Sequence, residues 1–475
     1  MLFDNFRRRL RQEAQIWQDE GLINAELYQQ LAQRYQFNHL ETAARDRFVF
    51  ILIAVGAILL GLGVITFVAA NWQAWNREVK LTILLSLFLT TNIAGFSLWR
   101  KPTSTRKRRQ KVFGEGLLIL GALTIGANMA LLAQMFHIGG SSYELFVGWG
   151  LAVLLMAYSL RLTSLGILSL ILLLIAYWTG LWEWYSVRDD LTLGRLVITH
   201  FPLVSGLLFV PLAYWCRSQW IFRIAAIAIV ISWQFHFKSL QVVSYIDAPP
   251  WIAIAAFSLL PALLWSYDDL LFRRTSRLFQ PFAQTLALAV LSISFYILSF
   301  RWLWEARSVG YQNELRNSSL ATWLPLIDVA IFTVLAIWQW WHLLRPKHNQ
   351  RYQKVVIKNM LIAGLIAIAA LIIFIHQVVT PIPAIPIFVF NLLLAVLGFG
   401  LICEALELGQ RRAFWGGIVL LTLQIISRML EYDTGLLFKS LVFVLCGAVV
   451  IGSGLWFERY LSSLPAASPS ETHHS

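Results

Sequence analysis

Asp328, His376 and Arg428 are ionisable side chains that fall within long apolar runs of this 475-residue chain. A charge at the centre of a bilayer costs about 2.5–3.5 kcal/mol on insertion scales, so such a residue pairs with another group, lines a water-filled cavity or moves protons. Asn71, Asn128, Gln134, His137, Asp433 and Lys439 add amide, imidazole, carboxylate and ammonium groups to the set. The charge pattern described below places these residues, apart from Asn128, in or near one half of a membrane, the outer half. The expectation is a polar cavity open to that face, as a transporter or a lipid-handling protein requires. The competing reading is a scatter of separate salt bridges and interfacial contacts, which are common and cheap.

No motif assigns these groups to a known reaction. GxxxxGK[ST], GxGxxG after a strand, HExxH and GxSxG are all absent. The nine His are scattered without ligand spacing, and Cys216, Cys403 and Cys446 lie in apolar runs without a CxxC pair. The reading is therefore of a non-enzyme with no catalytic residue, no metal and no cofactor. A membrane-embedded glycan or lipid transferase working through one outer-face acid, Asp328 first, is the enzymatic alternative. Outer loops such as Arg301 to Ala321 are too short for the extramembrane domain such an enzyme usually carries.

The elements that must position these groups are membrane helices. Hydrophobic residues make up 58% of the chain and charged residues 13%, and mean hydropathy is +0.66. Soluble domains average about 45–50% apolar and about 25% charged, so a soluble fold is excluded. Twenty-one Trp and fourteen Tyr fit the aromatic belts at membrane surfaces. By the ruler of about 20 apolar residues per crossing, about fourteen helices fit between Phe48 and the C-terminal run from Leu436. Those starting near Trp220 and Trp251 are the weakest, because Lys238, Asp247 and a Pro pair interrupt the stretch. The fold class is all-α: a polytopic bundle with a short N-terminal cytoplasmic helical hairpin.

The net charge of +13 does not signal nucleic acid, because the cations sit in short loops between apolar runs. Lys and Arg in such loops stay in the cytoplasm. Arg100 to Lys111 contains seven cations and no acid, so that loop is cytoplasmic, and alternation places both termini there as well. The run after this loop, Gly114 to His137, sets Glu115, Ala122, Gly126, Ala133 and His137 near one line, with Asn128 opposite. Small residues at i and i+4 permit close helix approach, which predicts a tightly packed helix surrounded by protein. The TPIPAIP run at Thr380 to Pro386 is expected to be an extended cap. Arg428 with Glu431, and Glu407 with Arg411, suit local helical pairs.

Organisation along the chain follows. Residues 1–47 carry Phe3, Phe6, Leu10, Ala14 and Trp17 at helical spacing, a C-cap at Gly21 and an N-cap at Asn24, which reads as a helical hairpin rather than a signal peptide. It serves as a membrane-surface element or as a docking module for a cytoplasmic protein partner. Residues 48–180 form an N-terminal membrane region, 181–383 a middle region and 384–460 a C-terminal region, and 461–475 read as a disordered cytoplasmic tail.

The strings WQDEGLINAELYQQL, GAILLGLGVITFVAANWQAW, VKLTILLSLFL and GEGLLILGALTIGANMALLAQMFHI resemble the bacterial predicted membrane proteins grouped as domain of unknown function 2157. NLLLAVLGFGLICEALELGQRR, LQIISRML and GLLFKSLVFVLCGAVVIGSGLWFERYL are similar to the ends of longer members. The resemblance implies a multi-pass protein of the bacterial inner membrane with a short cytoplasmic N-terminal module. It brings no substrate, cofactor or catalytic role to Asn71, Asn128 or His137. The lipid bilayer is the expected partner, and the functional expectation is transporter-like or lipid-handling, with a membrane scaffold or sensor acting through residues 1–47 as the alternative.

Overall fold

The computed structural model describes residues 2–35, 75–100, 107–137, 139–183, 192–237, 250–269, 278–305, 325–343, 350–379 and 382–463, together with Leu52, Leu59 and Thr66. Every regular element among these is helical. The chain divides into two compact units, Met1–Thr90 and Thr91–Ser475.

In the first unit, α1 (Leu2–Asp19) and α2 (Ala25–Tyr35) each have one apolar stripe. The two stripes meet around Ala14, which is fully buried among Leu10, Trp17, Ile23, Tyr28, Leu31 and Ala32. The turn between them uses Gly21 at φ 74°, a left-handed position that favours glycine. Asn24 then accepts from the Leu27 amide at 2.9 Å and starts α2 as an N-cap.

The membrane helices begin with α3 (Arg77–Arg100), α4 (Lys107–Met135), α5 (Ser142–Leu160) and α6 (Thr163–Glu183). They continue with α7 (Leu193–Thr199), α8 (Phe201–Cys216) and α9 (Gln219–His236). A π-helical turn, Ala255–Leu259, joins α10 (Pro250–Ile254) to α11 (Leu260–Ser266). Next come α12 (Gln280–Leu298), α13 (Pro325–Leu343) and α14 (Gln350–Phe374), whose end widens into a second π turn at Ile375–Val379. α15 (Ala384–Leu408), α16 (Arg411–Glu431) and α17 (Leu436–Ser463) complete the order.

Ten of the described helices are long and apolar enough to cross a membrane, or eleven when α7 and α8 count as one bent span. This is a helical membrane bundle. Of the about fourteen helices the hydropathy ruler suggests, the one from Phe48 lies outside the described residues. The segments from Trp220 and Trp251 form helices that are too polar or too short to pass that test.

Aromatic side chains fill the interior. Trp233, Trp265, Phe295, Trp304 and Phe390 centre one buried cluster, and Tyr177, Phe201, Phe209, Phe222 and Phe279 a second. Outward-facing Leu155, Leu207, Phe388 and Val444 are exposed as apolar side chains, as expected where lipid is the solvent. α17 is the extreme case, with none of its apolar window buried.

The helix predicted to be tightly packed is α4. A Cβ on Gly126 would lie 2.4 Å from the Trp149 ring, and one on Gly114 2.7 Å from the Trp99 amide nitrogen, so α5 and α3 approach at van der Waals limit through these glycines. Trp149 Nε1 then donates to the Ala122 carbonyl at 2.8 Å. Enclosure is only partial, however: Leu120 and Leu123 are each 41% exposed. Glu115 accepts from Ser164 Oγ at 2.5 Å.

Three local expectations change. α15 begins at Ala384 and includes Pro386, which the first turn tolerates because its amide would have no intrahelical acceptor there. The same helix ends at Leu408, with Gly409 at φ 62°, so Glu407 and Arg411 do not share a helix. Arg411 donates instead to Glu458 at 2.7 Å. α17 runs through Leu461 to Ser463, into the stretch read as a tail; residues 464–475 lie outside the described residues.

Candidate functional site

The sequence around position 200, Ile198-Thr199-His200-Phe201-Pro202, interrupts an apolar run with two polar residues and a proline. Pro202 donates no backbone hydrogen bond, so it cannot continue the α7 ladder but suits the first turn of α8. The helix breaks here, and α7 and α8 meet at 87°. His200 sits at the corner, with φ −100° and ψ 25°. Its amide closes α7 by donating to Leu196 at 3.0 Å, and its carbonyl opens α8 by accepting from Val204 at 2.8 Å.

From this corner His200 reaches α13. Asp328, in the first turn of that helix, is 0% exposed, and its Oδ1 lies 2.7 Å from His200 Nδ1 in a hydrogen bond. Asp328 Oδ2 has no hydrogen-bond partner among the described residues. His236 ends α9, and its Nε2 likewise has no hydrogen-bond partner among the described residues. Its ring meets the Phe237 ring edge-on at 5.2 Å.

Ring contacts and hydrogen bonds tie the surrounding helices together. Tyr177 stacks on Phe201 at 4.7 Å and donates through its hydroxyl to the Ser232 carbonyl at 2.9 Å, tying α6 to α8 and α9. Trp233 and Gln234, just before His236, donate to the carbonyls of Ala255 and Ala256 at 3.3 and 3.0 Å. Both carbonyls belong to the first π turn, where the widened helix leaves acceptors for side chains to satisfy.

A second polar group surrounds the end of α12. Arg428 donates to the Ser299 carbonyl at 2.7 Å, lies 4.1 Å from the Phe300 ring centroid and forms an ion pair with Glu431. Glu431 also accepts from the Arg301 amide at 2.6 Å, and Gln424 donates to the Asn391 carbonyl at 2.7 Å. Nearby, His376 lies in the second π turn with its ring 4.8 Å from that of buried Trp304. The expected Arg428–Glu431 helical pair is present, but it works as a cap on α12.

The remaining candidates disperse. Asn71 lies outside the described residues. Asn128 is buried and donates to the Thr124 carbonyl of its own helix at 2.8 Å. Gln134 and His137 are exposed at the end of α4, where His137 adopts φ 51°. Asp433 is exposed and Lys439 half-buried in the α16–α17 corner.

A cavity of about 280 Å³ lies elsewhere, lined by Gln219, Arg223, Leu278, Phe279, Pro281 and Phe282 among others. It adjoins the start of α9, about 26 Å along that helix from His236 at 1.5 Å per residue. Beside it Asp269 accepts from the Phe279 amide at 3.2 Å and from the Tyr214 hydroxyl, and so caps the start of α12.

Asp328 is legible in the sequence as an isolated polar residue of an apolar run, whereas His200 is not. The usable signal was the proline two positions after His200, since an interrupted apolar segment is the best sequence pointer to a membrane binding site.

Residues 15–166 match the model of the family described as predicted membrane protein (DUF2157). That family region runs from α1 into the start of α6 and confirms the resemblance read from the N-terminal strings. It ends before His200 and Asp328, so the pair lies outside the family region. Comparison with curated proteins and with solved structures gave no match.

Proposed function

We propose that this protein is a transporter-like membrane protein whose working site is the polar group around His200 and Asp328, in the outer half of the bundle. The observation that carries the reading is the buried His200–Asp328 bond at an 87° helix break. Discontinuous helices with ionisable groups at the break are how membrane proteins place unsatisfied backbone and charge beside a transported solute. Asp328, His376 and Arg428 then serve the outer half in distinct ways, the first at the solute path and the other two in supporting packing. The proposal includes about fourteen helices, a bacterial inner-membrane location and cytoplasmic termini, all resting on hydropathy and on the cation-rich loop at Lys101 to Lys111. It assigns no enzymatic step to the chain.

Full-length protein in liposomes holding a trapped pH-sensitive dye tests this reading. Proton or solute-coupled flux above that of empty liposomes, lost in Asp328→Ala, supports it. A parallel assay with a fluorescent phosphatidylcholine and an impermeant quencher reports lipid movement, which would favour the lipid-handling form. Liposomes with wild-type protein that match empty ones in both assays overturn the proposal.

A scaffold or sensor role has one observation in its favour. α1 and α2 pack around Ala14 as their own small core, suiting a cytoplasmic helical hairpin that receives a protein partner. Under that reading, deletion of residues 1–47 abolishes function while membrane insertion persists.

A further inference from the structure

Asp328 is completely buried, yet no lysine or arginine is paired with it among the described residues. Among the described residues its one polar contact is an imidazole, His200 Nδ1 at 2.7 Å. The choice of partner matters chemically. An arginine beside a buried carboxylate stays charged at every accessible pH and holds the carboxylate ionised. An imidazole gains and loses its own charge between about pH 5 and about pH 8, so a carboxylate that depends on it has no permanent counter-charge.

The atoms around the pair extend this argument. Asp328 Oδ1 is engaged by His200, and Oδ2 is buried without a partner among the described residues. A proton on that oxygen would remove the charge from a site that gives it no second hydrogen bond. His236 of α9 also has a buried Nε2 without a hydrogen-bond partner among the described residues. Among the other titratable groups on these elements, Arg195 of α7 has an interaction of its own. Tyr177 spends its hydroxyl on the Ser232 carbonyl. Tyr143 and Glu144 of α5 pack on Gly194, where an added Cβ would lie 3.1 and 2.8 Å from them, at the start of α7 rather than at its corner.

We propose that His200 and Asp328 form a reversible proton-binding site at the corner between α7 and α8, with the carboxylate and the imidazole sharing the bound proton. The reaction is an acid–base equilibrium: a proton arrives from water, the carboxylate or an imidazole nitrogen supplies the electron pair, and the same proton leaves on the return. Because His200 closes α7 and opens α8 through its own backbone, its bond to Asp328 ties protonation to the helix corner. The site rests on the transport reading for what the proton does, although not for whether it binds.

Infrared difference spectra of the full-length protein, recorded between about pH 5 and about pH 8, test binding directly. The expected result is a carboxylic-acid carbonyl band that grows on acidification and is missing in Asp328→Asn. His200→Gln retains Asp328 while removing its switchable partner, so it guards against an Asn variant that does not fold. This variant is expected to displace the band along the pH axis by about tenfold in proton concentration or more, the effect of a nearby charge on a carboxyl group. A wild-type spectrum without an Asp328 band, or a His200→Gln titration that superimposes on wild type, overturns the site. The liposome assay keeps the two ideas apart. An Asp328 band without flux upholds the proton site and removes the transport reading, and flux without the band does the reverse.

Discussion

His200 and Asp328 are 128 positions apart in the chain, yet their Nδ1 and Oδ1 atoms meet at 2.7 Å inside the bundle. The bond joins a helix corner to the first turn of α13. Its energetics differ from those of a surface pair, because both groups have left water and neither has a second charged partner among the described residues.

Breaking the pair on one side should therefore cost more than replacing it. Asp328→Ala is expected to lower stability by about 3–5 kcal/mol, because it strands His200 in an apolar setting. The double replacement His200→Leu with Asp328→Leu should recover much of that loss, since an apolar pair of similar volume removes the desolvation cost. Chemical unfolding in detergent measures both, and a double variant less stable than Asp328→Ala would contradict the account.

The approach of α4 to α5 gives a steric prediction. Gly126→Leu should reduce the yield of folded protein by an overpacking cost of about 1–3 kcal/mol or more, because its Cβ alone would lie 2.4 Å from the Trp149 ring. Gly116→Leu, with nothing within 4 Å of its Cβ, is the matched control and should leave the yield near wild type. Fluorescence-detected size exclusion compares the two.

Arg428 and Glu431 should behave as one unit. Arg428→Ala frees the Ser299 carbonyl and leaves Glu431 with the Arg301 amide, whereas Glu431→Gln leaves Arg428 on the Ser299 carbonyl without its ionic partner. The two losses are expected to be non-additive by about 0.5–3 kcal/mol, as for residues sharing a network. Thermal unfolding of the single and double variants reads this coupling, and strict additivity would show that the pair does not cap α12.

Orientation can be read with reporter fusions. A periplasm-active phosphatase fused within Lys101 to Lys111 should be inactive, and one fused in Arg301 to Ala321 active, because cation-rich short loops remain cytoplasmic. The reverse pattern would invert the outer placement of Asp328 and His376.

Local chemistry made much of this protein legible from its residues. Hydropathy averaged over a helix length is sufficient for membrane class, since every crossing must satisfy its own backbone in lipid. Ala14 and Trp17 at helical spacing, Gly21 and Asn24 announce the two N-terminal helices, because caps and stripes are properties of a few adjacent residues. Gly126 indicated close packing of α4, but not that Trp149 would be the group filling the space. Arg428 and Glu431 were readable as neighbours for the same local reason, whereas Ser299 as their shared partner was not.

The sequence by itself determined an all-helical membrane protein and the short roster of polar residues that lipid would not accept. Tertiary structure alone decided which of those residues meet. It sent Arg428 to the end of α12, left Gln134 and His137 exposed, and drew Asp328 to a histidine that composition had not marked. The physical reason is range. Helix formation and membrane insertion depend on neighbours within a turn or on averages over a span, while a bond across 128 positions depends on how the intervening helices pack and on the 87° turn at His200.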